Sequence, residues 1–288
     1  MTHYLPPNID PDQVQICLGL LSDTHMPARW PALPPLLPAI FAGVDLICHA
    51  GDVGELWVLD ELSGIAPVVA VHGNDEPPDT PGLLPEKQIV AAAGHRLLIW
   101  HSHYADRIDE MESRRAPEMR PKLERIARHG KRVGANVVHF GHWHIPLVCE
   151  IEGVTLVNAG AFASGNLITC QLVQTVALLF VLKNGRFHII HIDVNSGQPF
   201  QPADITDTDF LTAMKPFSRS ILDPALQSQQ ALFQQEPVLQ TALWQLAPAC
   251  WWGDKDVISK GDVITAVQTS SPLPLNLHQI LTALHSDE

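Results

Sequence analysis

Short apolar runs recur along this sequence, and each is closed by a loop carrying a carboxylate, an amide or an imidazole. Val14, Ile16, Leu18, Leu20 and Leu21 end in Ser22-Asp23-Thr24-His25, the run Val44 to Ala50 ends in Gly51-Asp52-Val53-Gly54, and Pro67 to His72 ends in Gly73-Asn74-Asp75-Glu76. Between them, Leu36, Leu37, Ile40 and Phe41, then Leu56, Val58, Leu59 and Leu62, fall at helical spacing. The order β-α-β-α-β predicts a parallel sheet covered by helices. In such a sheet the strands are packed on both faces, so polar groups collect on loops at the carboxyl edge.

The pattern continues. Ile89 to Ala92 and Arg96 to Trp100 flank a Gly94-His95 turn, which predicts a hairpin whose second arm ends in His101-Ser102-His103. A basic helix over about 117–134 leads to the run Asn136 to Phe140, which ends in Gly141-His142-Trp143-His144. Strand-like runs over 147–151, 154–157, 167–172, 176–182 and 187–192 then predict a mostly antiparallel meander, interrupted by the loop Asn158-Ala159-Gly160-Ala161.

A chain of 288 residues that is 46% hydrophobic can bury a full core as one large domain, or as one domain with an appendage. Past residue 200 the composition shifts: residues 201–288 hold ten glutamines, four basic and ten acidic residues, and apolar positions take helical spacing. The expected division is a catalytic α/β domain over 10–197 and a mainly helical extension over 198–288, a candidate cap, oligomerisation element or partner-binding surface. The formal charge of −13 argues against general nucleic-acid binding or attraction to an anionic membrane. Five cysteines without C-x-x-C spacing read as buried free thiols, and no apolar stretch reaches the roughly 20 residues of a membrane span. With neither a basic start nor an apolar signal core at Met1 to Pro7, a cytoplasmic setting is expected.

The strand ends supply Asp23, His25, Asp52, Asn74, His101, His142 and His144. All are oxygen or imidazole donors, a set suited to Mn²⁺, Fe, Zn²⁺ or Ni²⁺ rather than to a thiolate zinc or iron–sulfur site. Seven donors exceed one tetrahedral ion and fit two ions that share a carboxylate. In order, D-x-H, G-D, G-N, H and G-H-x-H resemble the motifs of the calcineurin-like metallophosphoesterase superfamily, here Asp23-Thr24-His25, Gly51-Asp52, Gly73-Asn74, His101 and Gly141-His142-Trp143-His144. The resemblance spans about residues 14–195 and lies closest to the small bacterial phosphodiesterase branch.

That resemblance implies a four-layer α/β/β/α sandwich with two divalent metal ions, Mn²⁺ favoured. Asp23, His25 and His144 would hold one ion, Asn74, His101 and His142 the other, and Asp52 would bridge them. Two such cations can hold a bridging hydroxide and clamp phosphoryl oxygens during in-line displacement of a small phosphoester substrate. A phosphodiesterase is favoured; a phosphomonoesterase or nucleotide pyrophosphohydrolase would use the same metals. A metal-binding interaction scaffold, as in the retromer phosphoesterase-like subunit, is the rival of another class, and intact ligand positions favour the enzyme.

The sequence departs from the superfamily in one place. Many members carry a histidine after the motif asparagine, taken to protonate the leaving oxygen, and here that residue is Asp75. A carboxylate beside two cations stays ionised and donates poorly. Either substrates with acidic leaving groups are preferred, or His72 or His103 supplies the proton. His101 is favoured over His103 as the ligand; His49, His139, His188 and His191 read as structural, and Trp143 as a cleft-lining or packing residue. The basic residues of 107–132, Arg114 and Arg115 foremost, form either a phosphate-steering rim or a solvated helix face.

Overall fold

The computed structural model describes residues 2–269, 279, 280, 282 and 284. The first three apolar runs become β1 (Val14–Leu21), β2 (Leu46–His49) and β3 (Val68–Ala70), joined by α1 (Leu37–Ile40) and α2 (Trp57–Ser63). These strands are parallel neighbours, as the β-α-β-α-β reading requires. The hairpin of β4 (Lys87–Ala92) and β5 (His95–Trp100) follows. Two helices come next, α3 (Arg107–Arg115) and α4 (Met119–Arg132), where the sequence marked only the second. They break at Ala116, extended at φ −70° and ψ 120°, because the following Pro117 disfavours a helical predecessor.

The chain continues through β6 (Val137–Phe140), β7 (Leu147–Ile151), β8 (Val154–Asn158), β9 (Thr169–Gln171), β10 (Thr175–Leu182), β11 (Phe187–Asp193) and β12 (Pro199–Phe200). The expected meander is divided among sheets. β7 and β8 form a hairpin, but β8 runs parallel to β6 in a five-stranded sheet ordered β4-β5-β6-β8-β7. β10 and β11 join the other sheet, six-stranded and ordered β12-β11-β10-β1-β2-β3, with β10 antiparallel to β1. All eight residues of β10 are buried, so it needs neighbours on both edges and cover on both faces. Turn signals cannot specify that, since they fix local reversal and not which sheet has an open flank.

Strand periodicity builds the layers. In β1, Cys17 and Leu21 face one core while Leu18 and Leu20 face another; in β10, Val176, Leu178 and Phe180 alternate with Ala177, Leu179 and Val181 in the same way. The second set meets Leu97 and Ile99 of β5, Val137 of β6 and Val157 of β8, so the two sheets pack face to face. The outer face of the six-stranded sheet is covered by Leu37 and Ile40 of α1 and Val58 and Leu62 of α2. Leu123, Ile126 and Ala127 of α4 cover Leu98, Val138 and Leu156 on the other side. The result is the α/β/β/α sandwich.

The chain divides into two compact units, Met1–Ala163 with Val173–Phe217, and Ser164–Leu172 with Ser218–Glu288. The first contains both large sheets and α5 (Phe210–Met214). The second is mainly helical, with α6 (Pro224–Ser228), α7 (Gln230–Gln235), α8 (Pro237–Trp251) and α9 (Lys260–Gln268), and β13 (Ser218–Ser220) paired to β9. Its own core includes Ile221, Leu226, Leu239, Leu243, Trp251 and Val263. Ser259 and Asp262 form a capping box that starts α9. The five cysteines are free, and among the described residues no helix is long and apolar enough to cross a membrane.

Candidate metal centre

Loops after β1, β2, β5 and β6 bring Asp23, His25, Asp52, His101 and His144 together at the carboxyl edges of the two sheets. Two clusters share Asp23: Asp23, His25 and His144, and Asp23, Asp52 and His101, each with donor atoms within 4.8 Å of one another. His144 Nε2 lies 3.2 Å from Asp23 Oδ1, and His101 Nε2 lies 3.1 Å from Asp52 Oδ2 and 3.9 Å from Asp23 Oδ1. His25 Nε2 is 3.5 Å from Asp52 Oδ2. All five side chains are buried.

The backbone is forced into shape to achieve this. Asp23, His25, Asp52, Ser102, His142 and His144 all have positive φ, between 46° and 76°. A non-glycine residue there costs about 1–3 kcal/mol, so six of them mark a strained set of loops held by surrounding contacts. Two motif glycines answer to space rather than to φ. A Cβ on Gly73 would lie 2.0 Å from Asp52 Oδ1, and one on Gly141 would lie 2.8 Å from Ala50 O and 2.9 Å from Asp23 Oδ2.

Other groups orient the donors. Asp23 accepts hydrogen bonds from Ser22 Oγ at 2.6 Å and from the His142 amide at 3.1 Å. The Asp75 amide donates to Asp52 Oδ1 at 2.8 Å. His101 Nδ1 lies 2.8 Å from Ala50 O, and His144 Nδ1 lies 2.8 Å from Ala163 O. A carbonyl can only accept, so each Nδ1 carries a proton and Nε2 is the nitrogen that faces a carboxylate.

That arrangement is unfavourable for bare protein groups and suits divalent cations. His25 Nε2 and His101 Nε2 are buried and make no hydrogen bond. Burial works against charge on His101, yet Asp52 and Asp23 outweigh it and push its pKa up to about 9. Burial likewise opposes charge on Asp23 and Asp52, but the neighbouring histidines hold both carboxyls below the usual range. His25 is driven down to about 3, chiefly by burial. Buried carboxylates and imidazole nitrogens that converge on one another, two of those nitrogens without a hydrogen bond, fit Mn²⁺, Fe or Zn²⁺.

The remaining sequence candidates are placed differently. His142 Nε2 bonds to Glu110 Oε1 at 2.8 Å, and its ring centroid is 5.1 Å from that of His101. Asn74 is exposed on the loop after β3. Asp75 pairs with the buried Arg29, whose Nη1 also approaches His25 Nδ1 at 3.4 Å. His103 is half-buried with its ring 5.6 Å from His101 and 6.2 Å from His72, and burial, helped by His101 and His142, lowers it to about 4. His49 contacts Thr24 Oγ1 and the Gly51 amide, and His139 Nε2 contacts Leu21 O, so both brace loops. Trp143 packs in the core, with ring centroids 5.0 Å from Phe140 and 5.8 Å from Phe210.

Basic residues of α3 and α4 are largely engaged: Arg114 with Glu110, Arg120 with Asp207, Lys131 with Glu152, and Arg125 with the carbonyls of Ser102 and His103. Sequence reasoning passed over Arg29, Glu76 and Glu110. Glu76 ties two loops together by accepting from the amides of Val53 at 2.9 Å, Gly54 at 3.0 Å and Gly73 at 3.2 Å. Its only signal was an acid closing the Gly73-Asn74-Asp75-Glu76 turn; Glu110 and Arg29 had none.

Residues 16–193 match the calcineurin-like phosphoesterase superfamily domain. A probable metallophosphoesterase of Methanocaldococcus jannaschii is 31% identical over 144 residues, 50% of this chain and 67% of that protein. Another, of Methanothermobacter thermautotrophicus, is 31% identical over 145 residues, 50% of this chain and 76% of its own length. Among solved structures, wild-type Vps29 of Entamoeba histolytica complexed with zinc aligns at 18% identity and a TM-score of 0.49, covering 68% of this chain and 99% of that one. With its domain match running from β1 through β11 and enclosing every motif at the sheet edges, the chain belongs to the calcineurin-like phosphoesterase superfamily.

Proposed function

We propose that this protein hydrolyses phosphodiesters with two divalent cations, Mn²⁺ favoured, bound at the carboxyl edges of the sheets. Asp23, His25 and His144 hold one cation, Asn74, His101 and His142 the other, and Asp52 serves both, within a catalytic domain over 10–197. The observation that carries this reading is that His25 Nε2 and His101 Nε2, assigned to different cations, both face Asp52 Oδ2, at 3.5 and 3.1 Å, and lack any hydrogen bond. When bound, the cations supply the Lewis acidity that activates the attacking water and neutralises the phosphoryl oxygens. The extension over 198–288 is the surface for a second copy or a protein partner.

The protein's own groups do the rest. Strained loops fix the donors in advance, so little reorganisation is needed when substrate arrives. The leaving oxygen receives little help: the Asp75 carboxylate is engaged by Arg29, and His103 stays neutral near pH 7. A positioned acid normally contributes roughly 10²–10⁴-fold, so its weakness directs the enzyme to acidic leaving groups.

The test is metal content by elemental mass spectrometry with hydrolysis of bis-p-nitrophenyl phosphate, before and after chelation. About two ions per chain and chelator-sensitive diesterase activity, falling steeply as the leaving phenol becomes less acidic, are expected. No metal after reconstitution with Mn²⁺ would overturn the reading.

A further inference from the structure

α3 carries no buried residue, yet it reaches the metal centre through a single side chain. Glu110 Oε1 lies 2.8 Å from His142 Nε2 and also accepts from Arg114 Nε at 2.8 Å, while Oε2 accepts from the Tyr104 amide at 3.0 Å. Arg114 can only donate, so Oε1 is an acceptor and His142 Nε2 must carry the proton. The lone pair of the neutral ring is then on Nδ1. His101 and His144 show the reverse, each with Nδ1 against a backbone carbonyl. The contrast extends to geometry: His101 Nε2 faces Asp52 without forming a hydrogen bond, whereas His142 and Glu110 form one. Nδ1 is also the ring nitrogen nearer the main chain, and the His142 amide is the group bonded to both oxygens of Asp23 at 3.1 Å.

We infer that Glu110 is a positioning residue that fixes the Nε2–H tautomer of His142, so that Nδ1 is the nitrogen this histidine presents to a divalent cation. The inference rests on the two-cation reading for the ligand role of His142. A carboxylate behind a metal-binding imidazole sets ring orientation and raises ligand basicity, and losing one costs roughly 10–100-fold in metal affinity. Arg114 and the Tyr104 amide hold the carboxylate in place, giving α3 and the loop after β5 a stake in the centre.

Two measurements on full-length protein test it. In metal-free protein labelled with ¹⁵N-histidine, long-range ¹H–¹⁵N spectra, with His142 assigned from the H142Q variant, should show His142 protonated at Nε2; Glu110→Ala should move it toward Nδ1–H, and Glu110→Gln, which keeps an acceptor oxygen, should restore it. By Mn²⁺ titration calorimetry, E110A should bind one of the two ions roughly 10–100-fold less tightly with the other unaffected. A wild-type His142 protonated at Nδ1, or two Mn²⁺ ions bound identically by wild type and E110A, would overturn the role of Glu110. Failure of wild type to bind Mn²⁺ would instead count against the two-cation reading, leaving the tautomer result to stand by itself.

Discussion

The fifteen histidines divide by what faces their ring nitrogens. His25, His101 and His144 turn a nitrogen toward Asp23 or Asp52, whereas His191 is buried in β11 with Nε2 2.8 Å from the Asn158 carbonyl and no carboxylate partner among the described residues. Burial pushes His191 down to about 4 from its ordinary value near 6.5. A depressed histidine takes up its proton in the unfolded chain before the folded one. Its contribution to stability is therefore present above pH 6.5 and is lost as pH falls from there toward 4. One such group accounts for a slope of at most about 1.4 kcal/mol per pH unit. His191→Gln keeps a donor for Asn158 and removes the titration, so its urea midpoint should fall less between pH 7 and pH 5 than that of wild type. Equal falls, measured on chelated protein, would show that other groups set the acid limit.

At the scale of elements, strand ends place the donors and loop-to-loop ties set their precision. Glu76 joins the loop after β2 to the loop after β3 through three amides, and the Asp75 amide in turn holds Asp52. Glu76→Ala leaves those amides without their acceptor in a largely buried position, which should cost about 2–3 kcal/mol in urea unfolding of metal-free protein. A loss below about 0.5 kcal/mol would mean that water replaces the carboxylate. This tie shows where sequence reasoning reached and where it stopped. Asp23, His25, Asp52, His101 and His144 were legible because each closes an apolar run, and the strand period of β1 already encodes which residues face which layer. Glu76, Arg29 and Glu110 act across loops distant in sequence, a relation no local pattern carries. The sheet assignment of β10 was hidden for the same reason, since it depends on an open flank beside β1.

At the scale of the whole molecule, a formal charge of −13 draws cations toward a centre where two buried carboxylates stand among histidines, two of which have an Nε2 without a hydrogen bond. On the two-cation reading, folding assembles a site that the unfolded chain lacks, so cation binding should appear as stability. At 100 times the dissociation constant one ion adds about 2.7 kcal/mol, which for a unit of this size raises the melting temperature by roughly 5–10 °C. Mn²⁺ added to chelated wild type should produce that rise and excess chelator should reverse it. Asp52→Asn retains the shape of the residue that faces both His25 and His101 but removes its charge. In that variant the rise should shrink to a degree or two. An equal rise in wild type and D52N would place the cations elsewhere on the acidic surface, because stabilisation would then have been gained without the carboxylate that serves both.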